Sequence, residues 1–250
     1  MIFKRLARAL GVGGPTVETV LHETDVTPGD ALTGEIRIVG GDHDVSVQTV
    51  AVSLVTRGEV EYEDFEGEDQ EIDTSLVFHR VELTGPFELA AEEERVFTFE
   101  IGLPWELPVT ELDGDALAGM TVGVRTDLEI AGALDKGDLD PVSVRPLPSQ
   151  QVVLDAFSAL GFSVKGADVE SAVLFEDQAL PFYQEIEFLT PPEYAGAVSS
   201  VELTFVATET DLTVAIGGGD AADGYRLPHD EVVDEDWETV LTDWLDGHAD

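Results

Sequence analysis

Most of the chain alternates apolar and polar residues with a period of two. Val17, Thr19 and Leu21 alternate with Glu18, Val20 and His22, and Val45, Val47, Thr49, Ala51, Ser53 and Val55 share one face of a longer run. The clearest case is VGVRTDLEI. There Val122, Val124, Thr126, Leu128 and Ile130 point one way, while Gly123, Arg125, Asp127 and Glu129 point the other. Successive strand side chains project to opposite faces, so each run predicts a strand with a buried face. Further strands are predicted through Ile36 and Ile38 and in SLVFHRVEL, RVFTFEIGL, PFYQEIEFL, VSSVELTFVAT and DLTVAIG. Pro28-Gly29-Asp30 and Gly40-Gly41-Asp42 supply turns, and the acidic run 59–73 reads as a protruding hairpin or loop.

Three segments switch to helical spacing. Ile2, Phe3, Leu6 and Leu10 share a face over residues 2–10, Lys4, Arg5 and Arg8 lie off it, and Gly11 can end the helix. Asp140-Pro141, Pro146 and Pro148 then mark a boundary, followed by a helix near 150–160. Ser149 is its expected N-cap, Val152, Val153, Ala156, Phe157 and Leu160 its apolar face, and Gly161 its left-handed C-cap, with Phe162 packing back. A terminal helix near 235–246 aligns Trp237, Val240, Leu241, Trp244 and Leu245. Many short strands with little helix predict an all-β sandwich architecture.

Charge changes this picture less than its size suggests. Against 53 Asp and Glu stand 12 Lys and Arg, a formal charge of −41. Such a balance argues against a nucleic-acid groove, which needs clustered cations. Disorder is opposed by the 43% hydrophobic content and a slightly positive mean hydropathy. An acid-saturated surface over a folded core points to a cytosol of molar salt, where the Debye length falls to about 3 Å and carboxylate repulsion is screened. Cysteine is absent, which removes disulfides and thiolate chemistry. A cytoplasmic protein is expected, since no apolar stretch is long enough to span a bilayer.

Motifs for chemistry are sparse. GVGG at 11–14 and IGGGD at 216–220 lack the flanking pattern of a phosphate loop. His22, His43, His79, His229 and His248 show no metal-ligand spacing, and a serine triad would need the fold to assemble it. Asp135, Asp138 and Asp140 in DKGDLD are the calcium candidates. Counted as an EF-hand from Asp135, the loop has Asp140 where glycine is required and Pro146 in place of the bidentate acid. A polar turn centred on Lys136-Gly137-Asp138, between VGVRTDLEI and VSVRP, is the expected structure.

Several ordered segments resemble the sporulation-control protein family, whose fold is arrestin-like. TPGDALTGEIRIVGGD is similar to the arrestin-type turn–strand–turn, and FTFEIGLPWELPVT carries Leu103, Pro104, Pro108 and Thr110 of the L-P-x-x-x-P-x-T pattern. VRTDLEIAGALDKGDLDPVSVRPLP, QQVVLDAFSALGF and LPFYQEIEF follow in the family's order. The resemblance implies two consecutive antiparallel β-sandwich domains, 1–146 and 147–250, and a non-enzymatic regulatory or scaffolding role without cofactors. Protein partners would bind sandwich faces and edge strands. The apolar and basic residues of 2–10 (Ile2, Phe3, Lys4, Arg5, Leu6, Arg8, Leu10) would dock on the protein, a partner or, weakly, a membrane, and a homo-oligomer stays open. The alternatives are a calcium- or carbohydrate-binding sandwich with acidic loops, and a hydrolase assembled from distant residues.

Overall fold

The computed structural model describes residues 13–63, 69–192, 194–196, 198–217 and 223–248, leaving aside the side chains of 59–63, 69–73 and 223. The helix expected over 2–10, with its docking residues, lies outside the described residues.

Strands β1 (Thr16–Leu21), β3 (Ala31–Val39) and β7 (Glu94–Gly102) form one antiparallel sheet in the order β1-β3-β7. Facing it are the long β4 (Val45–Glu63), β5 (Asp69–Thr84), β10 (Val122–Ile130) and β11 (Lys136–Val144), with the short β2 (Asp25–Val26) and β6 (Phe87–Leu89) at the margins. Ile36, Ile38, Val50, Leu54, Val124 and Leu128 are fully buried between the two layers. β8 (Glu111–Leu112) and β9 (Asp115–Ala116) make a small separate hairpin. The acidic run is a hairpin, because β4 and β5 stay paired out to Glu63 and Asp69.

After helix α1 (Pro148–Ala159) come β12 (Ser163–Glu170), β13 (Tyr183–Leu189), β14 (Ser200–Ala207), β15 (Asp211–Ile216) and β16 (Asp223–Pro228), paired antiparallel in sequence order. Helices α2 (His229–Asp234) and α3 (Trp237–His248) follow. One parallel bridge, Glu170 opposite Glu59, joins β12 to β4 and makes the sheet continuous. Among the described residues, no helix is long and apolar enough to cross a membrane.

Helix α1 is set by its ends. Leu147, not Ser149, is the N-cap. Pro148 occupies the first turn, where no amide is needed, and the Gln150 side chain accepts from the Leu147 amide at 2.8 Å. Gly161 takes φ +85°, and the Phe162 amide returns to Phe157 O at 3.0 Å, as expected. The Phe157 ring then lies 4.9 Å from Phe162 and 4.5 Å from Phe188.

The segment LPWELPVT clasps the second half of the chain. Glu106 accepts the amides of Ala179 (2.7 Å) and Leu180 (2.8 Å), and the Gln184 side chain pairs with both the amide and carbonyl of Val109. Burial pushes the Glu106 carboxyl up, against the lowering effect of those amides. Trp105 packs on Gly29, whose φ of +82° and lack of a side chain leave room for the ring.

Residues 136–140 of DKGDLD are strand rather than turn. The reversal occupies 131–135, and Lys136, Gly137 and Asp138 already pair with Leu128, Asp127 and Thr126. Asp135 turns back onto the Ile130 amide at 3.1 Å, which closes the reversal ahead of the expected position. Asp138 reaches the other sheet, accepting the Thr19 amide at 2.7 Å, while Thr19 Oγ1 meets Thr126 Oγ1 at 2.6 Å.

Asp140 is different. Burial, then the charges of Asp138 and Glu18, push its carboxyl above the ordinary aspartate value. A raised native value means its favourable contribution is complete at low pH and is lost as pH rises through that value. Asp140→Asn is therefore expected to raise Tm at neutral pH. The gain should shrink as acid protonates the wild type, which thermal scans across pH would read. An unchanged or lowered Tm at neutral pH would contradict the assignment.

Candidate functional site

The face of β10 directed away from the core carries Gly123, Arg125, Asp127 and Glu129. Antiparallel register sets Val55, Ser53 and Ala51 of β4 beside the first three, with Pro141, Leu139 and Gly137 of β11 on the other flank. Val77 of β5 extends the row beyond Val55. Gly123 makes a gap in this row because it has no side chain, and the Leu139 side chain leans over it. The result is an open groove of about 660 Å³, bounded by Val55, Arg57, Ser75, Gly123, Leu139 and Pro141. Leu139 is 60% exposed and Val77 44%, both unusual for apolar side chains on a sheet face.

Ion pairs flank the groove. Arg80 bonds Asp127 at 2.9 Å and Glu129 at 2.5 Å, and Arg125 also reaches Asp127. Along β4 and β5 the strand pairs beyond Arg57 and Ser75 include Glu59 with Asp73, Glu61 with Glu71 and Glu63 with Asp69. The outer face of β1-β3-β7 sets Glu18, Glu35, Glu94 and Glu100 against Arg37 alone. On the sheet of the second half, Asp168, Glu170, Glu185, Glu187 and Glu202 lie with Lys165, which pairs with Glu187, and Arg226, which pairs with Asp177 and Asp211. Burial followed by the charge of Glu187 pushes the Glu202 carboxyl up there, despite Lys165.

The acidic calcium candidates do not converge. Asp135 and Asp138 are engaged by backbone amides, as described, and Asp140 lies inward along β11. Asp168, Glu170 and Glu185 do bring one carboxylate oxygen each within 4.8 Å of one another. Beside them burial and the charges of Glu185 and Glu170 push the Tyr183 hydroxyl well up. Register across β12 and β13 creates this cluster, which the linear sequence does not show.

The fold does bring one serine to a histidine. Ser149 Oγ lies 2.7 Å from His229 Nδ1, and His229 Nε2 lies 3.0 Å from Thr208 O. Donation from Nε2 to that carbonyl leaves Nδ1 to accept from the serine. The pair pins α1 to the start of α2, with the Trp105 ring 6.2 Å from the imidazole. Ser149 is only 2% exposed, which suits a structural tie better than a nucleophile.

The SpoOM protein family matches residues 3–217 of the chain, covering the groove, the clasp and most of the second sheet. The chain belongs to the Spo0M family. It is 32% identical over 225 residues to the sporulation-control protein Spo0M of Bacillus subtilis (strain 168), across 90% of this chain and 83% of that protein. The crystal structure of Spo0M from Bacillus subtilis superposes with a TM-score of 0.80 at 29% identity, covering 94% of this chain and 99% of the other. Spo0M membership fits the ordered segments from TPGD to LPFYQEIEF that first suggested the family.

The groove itself was only half visible in the sequence. The alternation of β10 put Gly123, Arg125, Asp127 and Glu129 outside. A glycine inside a well-patterned strand is a signal of close approach or a gap. Its neighbours Leu139 and Val77 could be placed only after the register was known.

Proposed function

We propose that this chain is a non-enzymatic regulatory or scaffolding protein of the Spo0M type, holding protein partners on the outer face of β5-β4-β10-β11. The observation that carries this reading is the open groove over Gly123, with the exposed apolar side chains of Leu139 and Val77 beside it. Apolar surface concentrated in a patch marks an interaction site. Sheet edges remain secondary docking elements in this reading. The division into 1–146 and 147–250 belongs to it as well, supported by the start of α1 immediately after the boundary.

Leu139→Asp tests it, since a residue this exposed can change without unfolding the sheet. Partners recovered by the wild-type protein from its own cell, at native salt, are expected to disappear with Leu139→Asp. They should persist with Val96→Asp, an exposed position on β7 away from the groove. Circular dichroism should show both variants folded. A partner set untouched by Leu139→Asp would overturn the reading.

A further inference from the structure

We propose that the outer face of the β1-β3-β7 sheet seats the chain's own N-terminal segment, residues 2–10, laid along it as a single helix. The proposal is independent of the groove, which lies on the other sheet.

The face has the dimensions of one helix. Antiparallel register sets Thr16, Val39 and Glu94 in one row across the three strands, then Glu18, Arg37 and Val96, then Val20, Glu35 and Thr98. The three rows span about 14 Å along the strands, and the flanking strands lie about 10 Å apart. A nine-residue helix is about 14 Å long and, with its side chains, about 10–12 Å wide. Each row offers one valine, and two of them stand well out of the sheet, Val39 at 39% and Val96 at 57% exposure.

The chain arrives at the right end. Residues 11–15 join the segment to β1, and the Gly13 carbonyl accepts the Asp42 amide at 2.9 Å, beside the row where Thr16 pairs with Val39. Gly13 takes φ +71°, which a glycine allows and which lets the chain reverse there. Five residues reach up to about 17 Å, more than the roughly 10 Å between packed layers. The groove is too far away for the same segment. Val55 lies ten residues along β4 from Val45, about 33 Å from that end, whereas residues 2–12 reach only about 21 Å from Gly13.

Charge agrees with this seat. At about 100° per residue, Ile2, Phe3, Leu6 and Leu10 form one apolar stripe, with Lys4 and Arg5 on its opposite flanks and Arg8 behind it. On the face Arg37 already meets Glu35 at 3.3 Å. Glu18 on β1 and Glu94 and Glu100 on β7 line the two margins, where the flank cations of a seated helix would extend their apolar stems. An anionic membrane competes poorly, because it repels a chain with formal charge −41.

The chain contains no cysteine, so an introduced pair reports one contact. Leu6→Cys combined with Val96→Cys or with Val39→Cys is expected to form a disulfide within one chain under mild oxidation, a bond that requires Cα atoms within about 7 Å. Leu6→Cys with Leu139→Cys, in the groove, should not. Phe3→Asp should abolish the bond while circular dichroism shows the fold unchanged. In the single variant Val96→Cys, deleting residues 2–10 should speed thiol labelling several-fold. No bond at either valine, or labelling unchanged by the deletion, would overturn the proposal. So would a disulfide formed only between chains, which would place the segment on a second copy. An equally efficient bond to Leu134→Cys, exposed in the β10–β11 reversal outside this face, would overturn it too. Sedimentation with phosphatidylglycerol vesicles that needs residues 2–10, without any disulfide, would assign the segment to a membrane instead.

Discussion

Phe157→Ala is expected to destabilise the protein by about 3–5 kcal/mol, the range for deleting a fully buried aromatic ring. Phe157 is 0% exposed and touches both Phe162, just past the end of α1, and Phe188 of β13. Removing it takes away the surface that binds helix to sheet and leaves a cavity that neither rigid element can close. Each kcal/mol shifts Tm by roughly 2–4 °C at this chain length, so a fall of about 10 °C is expected. Urea denaturation should give a lower midpoint with little change in slope. Phe157→Leu, which refills part of the space, should recover a substantial fraction. A change below about 1 kcal/mol would show that the three rings do not form a shared core.

Glu106→Ala is the second large effect, because it strips the acceptor from two backbone amides at once. Buried amides left without partners cost about 1–3 kcal/mol each, but Ala179 is exposed and Leu180 half-buried, so water replaces part of the loss and the total should be about 1–2 kcal/mol. Glu106→Gln keeps one acceptor oxygen but presents an amino group to the other amide, so only partial recovery is expected. Hydrogen exchange would localise the effect. Protection should drop at Ala179 and Leu180, and at Val109 if the Gln184 bonds loosen with them. Unchanged exchange at 179 and 180 would mean that the carboxylate does not hold that segment.

The strands of this protein were legible because one face of each is buried, and burial enforces the two-residue period. β10 is the best example, with its even positions packed on the core and its odd positions outside. Short strands such as β2, β6, β8 and β9 were not legible, since two or three residues carry no period. Strands β12 and β16 failed for another reason: SVKGADVE and DGYRLP leave many side chains exposed or half exposed. DKGDLD was misplaced by a few residues because its glycine and aspartates have turn composition. Its pairing with β10 is decided by register, which local composition does not encode. The Spo0M resemblance rested on the order of segments, and two of them proved structural in a specific way. TPGD provides the glycine that seats Trp105, and LPWELPVT provides the clasp. The groove needed four strands in register before its apolar row could be seen.

Asp138 began as one acid among many in an acid-rich sequence, and its bond to the Thr19 amide gives it a protective role. β1 is the margin of its sheet, and a strand margin with unpaired amides is a template on which another chain can stack. With its amide satisfied and an anion fixed against it, β1 presents an incoming strand with a blocked position and a repulsive charge. In concentrated salt, where hydrophobic contacts strengthen and charge repulsion is screened, any protein faces more than the usual pressure to aggregate. One carboxylate aimed at one backbone nitrogen resists that pressure by geometry, which salt does not screen.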